Sequence, residues 1–199
     1  MKQSKTVIFI GPQGSGKGTQ IEKLVSVLSA KDPTNRVVDI QTGRRFRALA
    51  TRGERYTEKM VSKTLESGVL QPLFLSVMLW ADAMRDHLDD NIHLLIDGFP
   101  RTVNEALVVE SALSFYKRGH IDVINLDTPE EVVRQRMVDR ARQDDKFHSI
   151  EARLSWYREE TLPVIDYYRK RNNTTVHDID GTRSIEVVHE RILATLELS

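Results

Sequence analysis

The sequence predicts an α/β fold, a five-stranded parallel sheet with helices on both faces. Three observations carry that expectation. Short apolar, β-branched runs alternate with longer stretches of helical periodicity. A glycine-rich turn, residues 11–19, joins the first such run to the first helical stretch. A second charged turn, residues 97–101, also follows an apolar run, and in such sheets ligands bind beyond the carboxyl ends of the strands.

In chain order, residues 6–10 (Thr-Val-Ile-Phe-Ile) suit a buried strand. After the glycine turn, Ile21, Leu24, Val25 and Leu28 share one helical face. Residues 36–40 read as a second strand. Residues 42–68 read as helical but strongly charged, punctuated by Gly43, Gly53 and Gly68. Pro72 opens a helix at its first turn, carrying Leu75, Val77, Met78, Leu79, Trp80 and Met84. Residues 93–96 form an apolar strand ending on Asp97-Gly98-Phe99-Pro100-Arg101, and Thr102 caps a helix to about residue 117. A strand over 121–126 follows, then helices over 129–142 and 149–171. A last strand, 174–177, and a last helix, 184–196, complete the alternation. No repeat or low-complexity tract interrupts it.

Composition bounds the function. A chain of 199 residues suits one domain, or one domain with insertions, and is long enough for a sizeable core. Its 29 basic and 29 acidic residues give no bulk attraction for nucleic acid or anionic membrane, so a polyanion must be held by local clusters. The absence of cysteine excludes disulfides and thiolate zinc sites and suits a reducing compartment. No apolar run has the length of a membrane span, and the first strand starts too early to leave room for a signal peptide. The expectation is a soluble cytoplasmic monomer with neither nucleic-acid nor membrane partner.

The glycine turn carries the clearest chemistry. Between a strand and a helix, Gly11, Gly14, Gly16 and Gly18 let backbone N–H groups converge on an anion, the helix start adds its positive dipole end, and Lys17 adds a mobile charge. The hydroxyl usual after the lysine comes one place later, on Thr19. Asp97, following Leu-Leu-Ile at a strand end, has the setting of a carboxylate that orients magnesium and its waters. Arg44, Arg45, Arg47, Arg101, Arg136, Arg140, Arg142 and Arg153 lie at element ends or in charged loops, and the guanidinium fork matches phosphate oxygens. A solvated charged face is the usual explanation for any one of them. Arg101 stands apart because it ends a buried strand beside Asp97.

In sequence order, these pieces resemble the adenylate kinase family of nucleoside monophosphate kinases over almost the whole chain. The resemblance rests on Gly11-x-x-Gly14-x-Gly16-Lys17-Gly18-Thr19-Gln20, on Thr42-Gly43-x-x-x-Arg47, and on Gly68-Val69-Leu70-Gln71-Pro72. It continues through Asp97-Gly98-Phe99-Pro100-Arg101-Thr102, Arg136-x-x-x-Arg140 with Arg142-x-Asp144-Asp145 and Arg153-Leu154, and Asp180-Gly181. It implies a P-loop NTPase-type nucleoside monophosphate kinase fold across residues 1–199, with an acceptor-binding insertion at 42–72 and a short lid at 137–147. The implied reaction is reversible transfer of the γ-phosphoryl group of ATP to a nucleoside monophosphate, most simply AMP, with magnesium.

By the same resemblance, Gly14, Ser15, Gly16, Lys17, Gly18 and Thr19 hold the donor phosphates. Arg136, Arg140 and Gly181 flank ATP, and Asp97 holds magnesium through water. Thr42, Gly43, Arg47, Val69, Leu70, Gln71, Gly98, Arg101, Glu105, Arg142 and Arg153 serve the acceptor. Arg101, Arg140, Arg142 and Arg153, with Lys17, surround the transferring group.

Three residues depart from the family pattern, all on the acceptor side. Arg44 stands for aspartate, Gln71 for valine, and Glu105 for the glutamine that reads the AMP base. A carboxylate offers only acceptors, so Glu105 raises an altered or relaxed acceptor (GMP, CMP or UMP) as the alternative. A hydrolysing P-loop GTPase or motor lacks support, because no Asn-Lys-x-Asp base-reading motif is present. A catalytically inactive nucleotide-binding protein would not need Lys17, Arg101 and the lid arginines.

Overall fold

The computed structural model describes residues 4–140 and 147–199. Five strands, β1 (Thr6–Ile10), β2 (Arg36–Gln41), β3 (Ile92–Asp97), β4 (Ile121–Asp127) and β5 (Thr174–Asp180), form one parallel sheet in the order β2-β3-β1-β4-β5. From β1 at the centre the chain goes to the edge strand β2, returns to β3 and then crosses to β4 and β5; β1 pairs Val7 with Leu95 of β3 and with Asp122 of β4. The connection leaving β1 runs to one side of the sheet and the connection leaving β3 to the other, so the crevice opens at the carboxyl ends of these two neighbouring strands.

Strand alternation sends neighbouring β1 residues into different cores. Ile8 and Ile10 join Ile40, Leu94 and Ile96 beneath α4 (Leu73–His87), α5 (Val103–Phe115) and α8 (Leu162–Arg169). Val7 and Phe9 join Leu95, Ile124 and Leu126 beneath α1 (Lys17–Lys31) and α9 (Ile185–Thr195). Each fully buried aliphatic or aromatic side chain contributes about 1.5–3 kcal/mol, so this two-faced sheet dominates the stability.

Two smaller clusters lie outside it. Phe46, Val61 and Leu75 bind α2 (Thr42–Arg52) and α3 (Tyr56–Ser67) to α4. Val133, Met137, Ile150 and Leu154 bind α6 (Glu130–Arg140) to α7 (Phe147–Trp156).

Several element expectations need correction. Residues 42–68 form two helices, because α2 ends on Gly53 in the left-handed region at φ 65°. Pro72 is the cap preceding α4 rather than a residue of its first turn. The stretch 149–171 is also interrupted: a π-helical turn, Tyr157–Thr161, separates α7 from α8. Pro163 lies two residues past the end of that turn, and proline cannot donate to the carbonyl four residues back and crowds it, which a widened turn relieves. β5 runs to Asp180, three residues beyond the expected strand. Among the described residues, no helix is long and apolar enough to cross a membrane.

Candidate active site

A cavity of about 590 Å³ opens at the carboxyl edge of β1 and β3. Gly14, Ser15, Gly16, Lys17, Gly18 and Thr19 form one wall. α1 starts at Lys17 with no acid in its first turn, so its own side chains leave its positive end uncompensated. Lys17 Nζ donates to the carbonyls of Gly11 (2.7 Å) and Pro12 (2.9 Å). Burial pushes this ammonium down to about 8; Asp97 pulls it back up, and Arg101 and Arg140 press it further down. Cations so crowded favour a polyanion among them.

The opposite wall comes from the end of β3. Asp97 lines the cavity, and its Oδ1 is buried with no hydrogen-bond partner among the described residues. Gly98 follows at φ 82°, where a Cβ would lie 2.6 Å from Thr42 Oγ1. That closeness lets the Thr42 hydroxyl donate to the Gly98 carbonyl at 2.7 Å, which fixes the start of α2 against β3. Thr42 is therefore an anchor beneath the cavity rather than part of its wall.

Arg101 is held from three directions. Its backbone N–H donates to Glu105 Oε2 at 2.7 Å, its carbonyl accepts from Thr161 Oγ1 at 2.9 Å, and its guanidinium sits 5.2 Å from the centre of the Trp156 ring. Burial lowers its pKa, opposed by Glu105 and Asp97. On the far side, Arg136 Nη1 donates to the Gly181 carbonyl at 2.9 Å, tying α6 to the turn after β5. Arg140 and Gly181 line the same cavity.

A second, narrower cavity of about 30 Å³ lies between α2, α3 and α7. Phe46, Leu65, Val69 and Trp156 supply apolar surface, and Arg47, Arg101, Arg153 and Gln71 supply polar groups. Gln13, Gly43, Arg47, Arg101 and Trp156 line both cavities.

Not every sequence-predicted residue is at the site. Leu70 lines neither cavity. Arg142 lies outside the described residues, as do positions 141–146 of the expected lid. Glu105 corrects the sequence reading most sharply, since it is buried, lines neither cavity and faces protein donors only. Its Oε1 accepts from Ser76 Oγ (2.6 Å) and Trp80 Nε1 (3.1 Å), and its Oε2 accepts from Arg101 N. With Thr102 accepting from Glu105 N at 3.1 Å, the residue completes a helix-start bracket on α5 instead of reading a base.

Sequence reading missed Trp156, Tyr157 and Thr161. Trp156 falls three residues after Arg153, one helical step along the same face. Tyr157 and Thr161 belong to the π-helical turn, which periodicity does not disclose.

Comparison with known proteins agrees with this geometry. The family model described as "Adenylate kinase" matches residues 9–173. An "Adenylate kinase" of Corynebacterium urealyticum is 35% identical over 191 residues, covering 96% of this chain and 98% of its own length. An "Adenylate kinase" of Deinococcus radiodurans is 32% identical, covering 96% of each chain. "Adenylate kinase 1" of Schistosoma mansoni is 32% identical over 96% of this chain and 92% of its own. Likeness at this level, running nearly end to end in each pair, makes the chain a member of the adenylate kinase family and an enzyme of the nucleoside monophosphate kinase class.

Proposed function

We propose that this enzyme transfers the γ-phosphoryl group of ATP reversibly to AMP, giving two molecules of ADP. The observation that carries the reading is the shared wall of the two cavities. Arg47 and Arg101 face both the loop of 14–19 and the narrow apolar pocket, so two anionic groups brought from opposite sides meet on the same cations. Phosphoryl transfer needs in-line placement and compensation of spreading charge more than covalent chemistry.

In this reading the backbone of Gly14 to Thr19 and Lys17 hold the donor phosphates, with Arg136 and the Gly181 carbonyl beside the donor base. Arg47, Arg101 and Arg153 hold the acceptor phosphate, Gly43, Gly98 and Val69 shape its pocket, and Arg140 closes on the transferring group. Arg142 belongs to the same set by resemblance. Residues 42–72 act as the acceptor subdomain and 137–147 as the lid, closing to exclude water that would otherwise hydrolyse ATP.

The residues fit magnesium. Asp97 has a buried carboxylate oxygen without a partner, and the described residues contain no group of three or more His, Cys, Asp and Glu that would cage a metal alone. That suits a hard cation held through water by one acid and by substrate phosphates. Magnesium supplies charge compensation on the donor phosphates when bound. We place the enzyme in the cytoplasm as a monomer, without nucleic-acid or membrane partners. A balanced formal charge and the lack of cysteine support that placement.

Lys17→Met and Arg101→Ala should each lower turnover at least ~100-fold with a native circular dichroism spectrum, because such clamps act mainly in the transition state. Near-wild-type turnover in either variant contradicts the assignment of that residue.

A further inference from the structure

Besides the phosphate-holding arginines, the narrow cavity is lined by two polar side chains, Gln13, which it shares with the larger cavity, and Gln71, which belongs to it alone. Gln71 sits in the turn between α3 and α4, 7% exposed, directly before the Pro72 cap. One end of its amide is fixed: Thr64 Oγ1 on α3 lies 2.9 Å from Oε1. The other end is not, because Nε2 is buried without a hydrogen-bond partner among the described residues. Folded proteins rarely leave a buried amide donor unpaired, and each exception asks for an explanation. An apolar side chain of the same size would fill this place without that cost. The surroundings point to the occupant. The same cavity presents the Trp156 ring, Phe46, Leu65 and Val69 as apolar surface and Arg47, Arg101 and Arg153 as cations. Those are the kinds of wall a planar base with an attached phosphate uses, and the 30 Å³ between them, room for about one water, has to widen to admit it.

We propose that Gln71 sets the acceptor preference by donating a hydrogen bond from Nε2 to an unprotonated ring nitrogen of the acceptor base. The inference rests on the ATP:AMP reading above and deepens it. On the base-pairing edge, adenine N1 and cytosine N3 accept a hydrogen bond, whereas guanine N1–H and uracil N3–H donate one. A fixed donor therefore favours AMP, and secondarily CMP, over GMP and UMP. Thr64 holds the amide so that the donor rather than the oxygen is left over. Its single hydroxyl proton has Gln71 Oε1, Met60 O (3.1 Å) and Val61 O (3.0 Å) within reach, and the amide oxygen is nearest. Gln71 is then the residue that discriminates among bases, the part that the sequence assigned to Glu105.

The test compares wild type with Gln71→Met on AMP, CMP, GMP and UMP at saturating ATP, together with melting temperatures. The variant keeps the length of the side chain and removes both polar ends. The expected result is a KM for AMP raised about 5- to 10-fold, the loss of roughly one hydrogen bond. The kcat should fall no more than about 3-fold, the GMP constants should stay within about 2-fold, and the melting temperature should be unchanged or higher. Because a purely packing role would move all four acceptors together and lower the melting temperature, that outcome overturns the proposal, as does a KM for AMP within 2-fold of wild type. Should Gln71→Met fail to fold, Thr64→Val reads the same point by releasing the amide. A fall of at least about 3-fold in the AMP-over-GMP preference supports the proposal, and an unchanged preference overturns it. A wild type that forms no ADP from ATP and AMP is a separate failure, visible before any variant is made, and it removes the ATP:AMP reading itself.

Discussion

Lys17 carries its charge against its surroundings, and the consequence is readable in pH. Its ammonium is pushed down from 10.5 to about 8 by burial. Below about 8 the free enzyme holds the proton and can bind the donor phosphates; above it the proton leaves and that attraction is lost. We therefore expect kcat/KM for ATP, which reports the free enzyme, to decline as pH rises through about 8. The kcat should stay level to higher pH, because bound phosphate oxygens favour the charged form. A kcat/KM profile flat to pH 10 would contradict this. Glu105 makes a second case. In Glu105→Gln either amide orientation opposes a donor: Nε2 meets Arg101 N–H in one and the Trp80 indole N–H in the other. The expected cost is about 1–3 kcal/mol, seen as a melting temperature lower by several degrees for a chain of this size. Acceptor ratios should not change, and altered ratios with an unchanged melting temperature would show that the carboxylate does reach the base. The sequence reading set Glu105 among the acceptor residues and did not foresee its protein donors. That Ser76 and Trp80 satisfy it depends on how α4 packs on α5, which spacing along the chain does not encode.

The contact between α3 and α7 closes the narrow cavity. Gly68 ends α3 at φ 74°, and a Cβ there would lie 2.6 Å from Ser149 Cα. The Gly68 carbonyl accepts from Trp156 Nε1 at 2.9 Å. Gly68→Ala combines a strained backbone with a backbone collision, so α3 must withdraw from α7. We expect the KM for AMP to rise at least ~10-fold while ATP affinity, measured by direct titration, changes little, since the loop of 14–19 is not part of that contact. Equal losses for both nucleotides would place the effect elsewhere. The glycine was legible as punctuation, but its tight approach to Ser149 was not, because it joins residues some eighty positions apart. Similarly, the strand-to-helix turn at Lys17 and the Thr102 cap were local signals and were read directly. The π-helical turn was hidden, since α7 and α8 together mimic one long amphipathic helix.

At the scale of the whole molecule, a parallel sheet whose connections leave β1 and β3 to opposite sides puts the loop after β1 and the turn after β3 side by side. The alternation of strands and helices made that architecture readable. The strand order was not among the expectations, because nothing local dictates which earlier strand β4 joins. The same topology leaves Arg47 and Arg101 between the two cavities, where we propose that the two nucleotides meet. The most direct test follows phosphorus NMR of the wild-type enzyme with magnesium and ATP, first alone and then with AMP. Without AMP the spectrum should not change; with it, two ADP should appear for each ATP consumed, and no inorganic phosphate. Inorganic phosphate released from ATP alone, or ADP formed at the same rate without AMP, would contradict it.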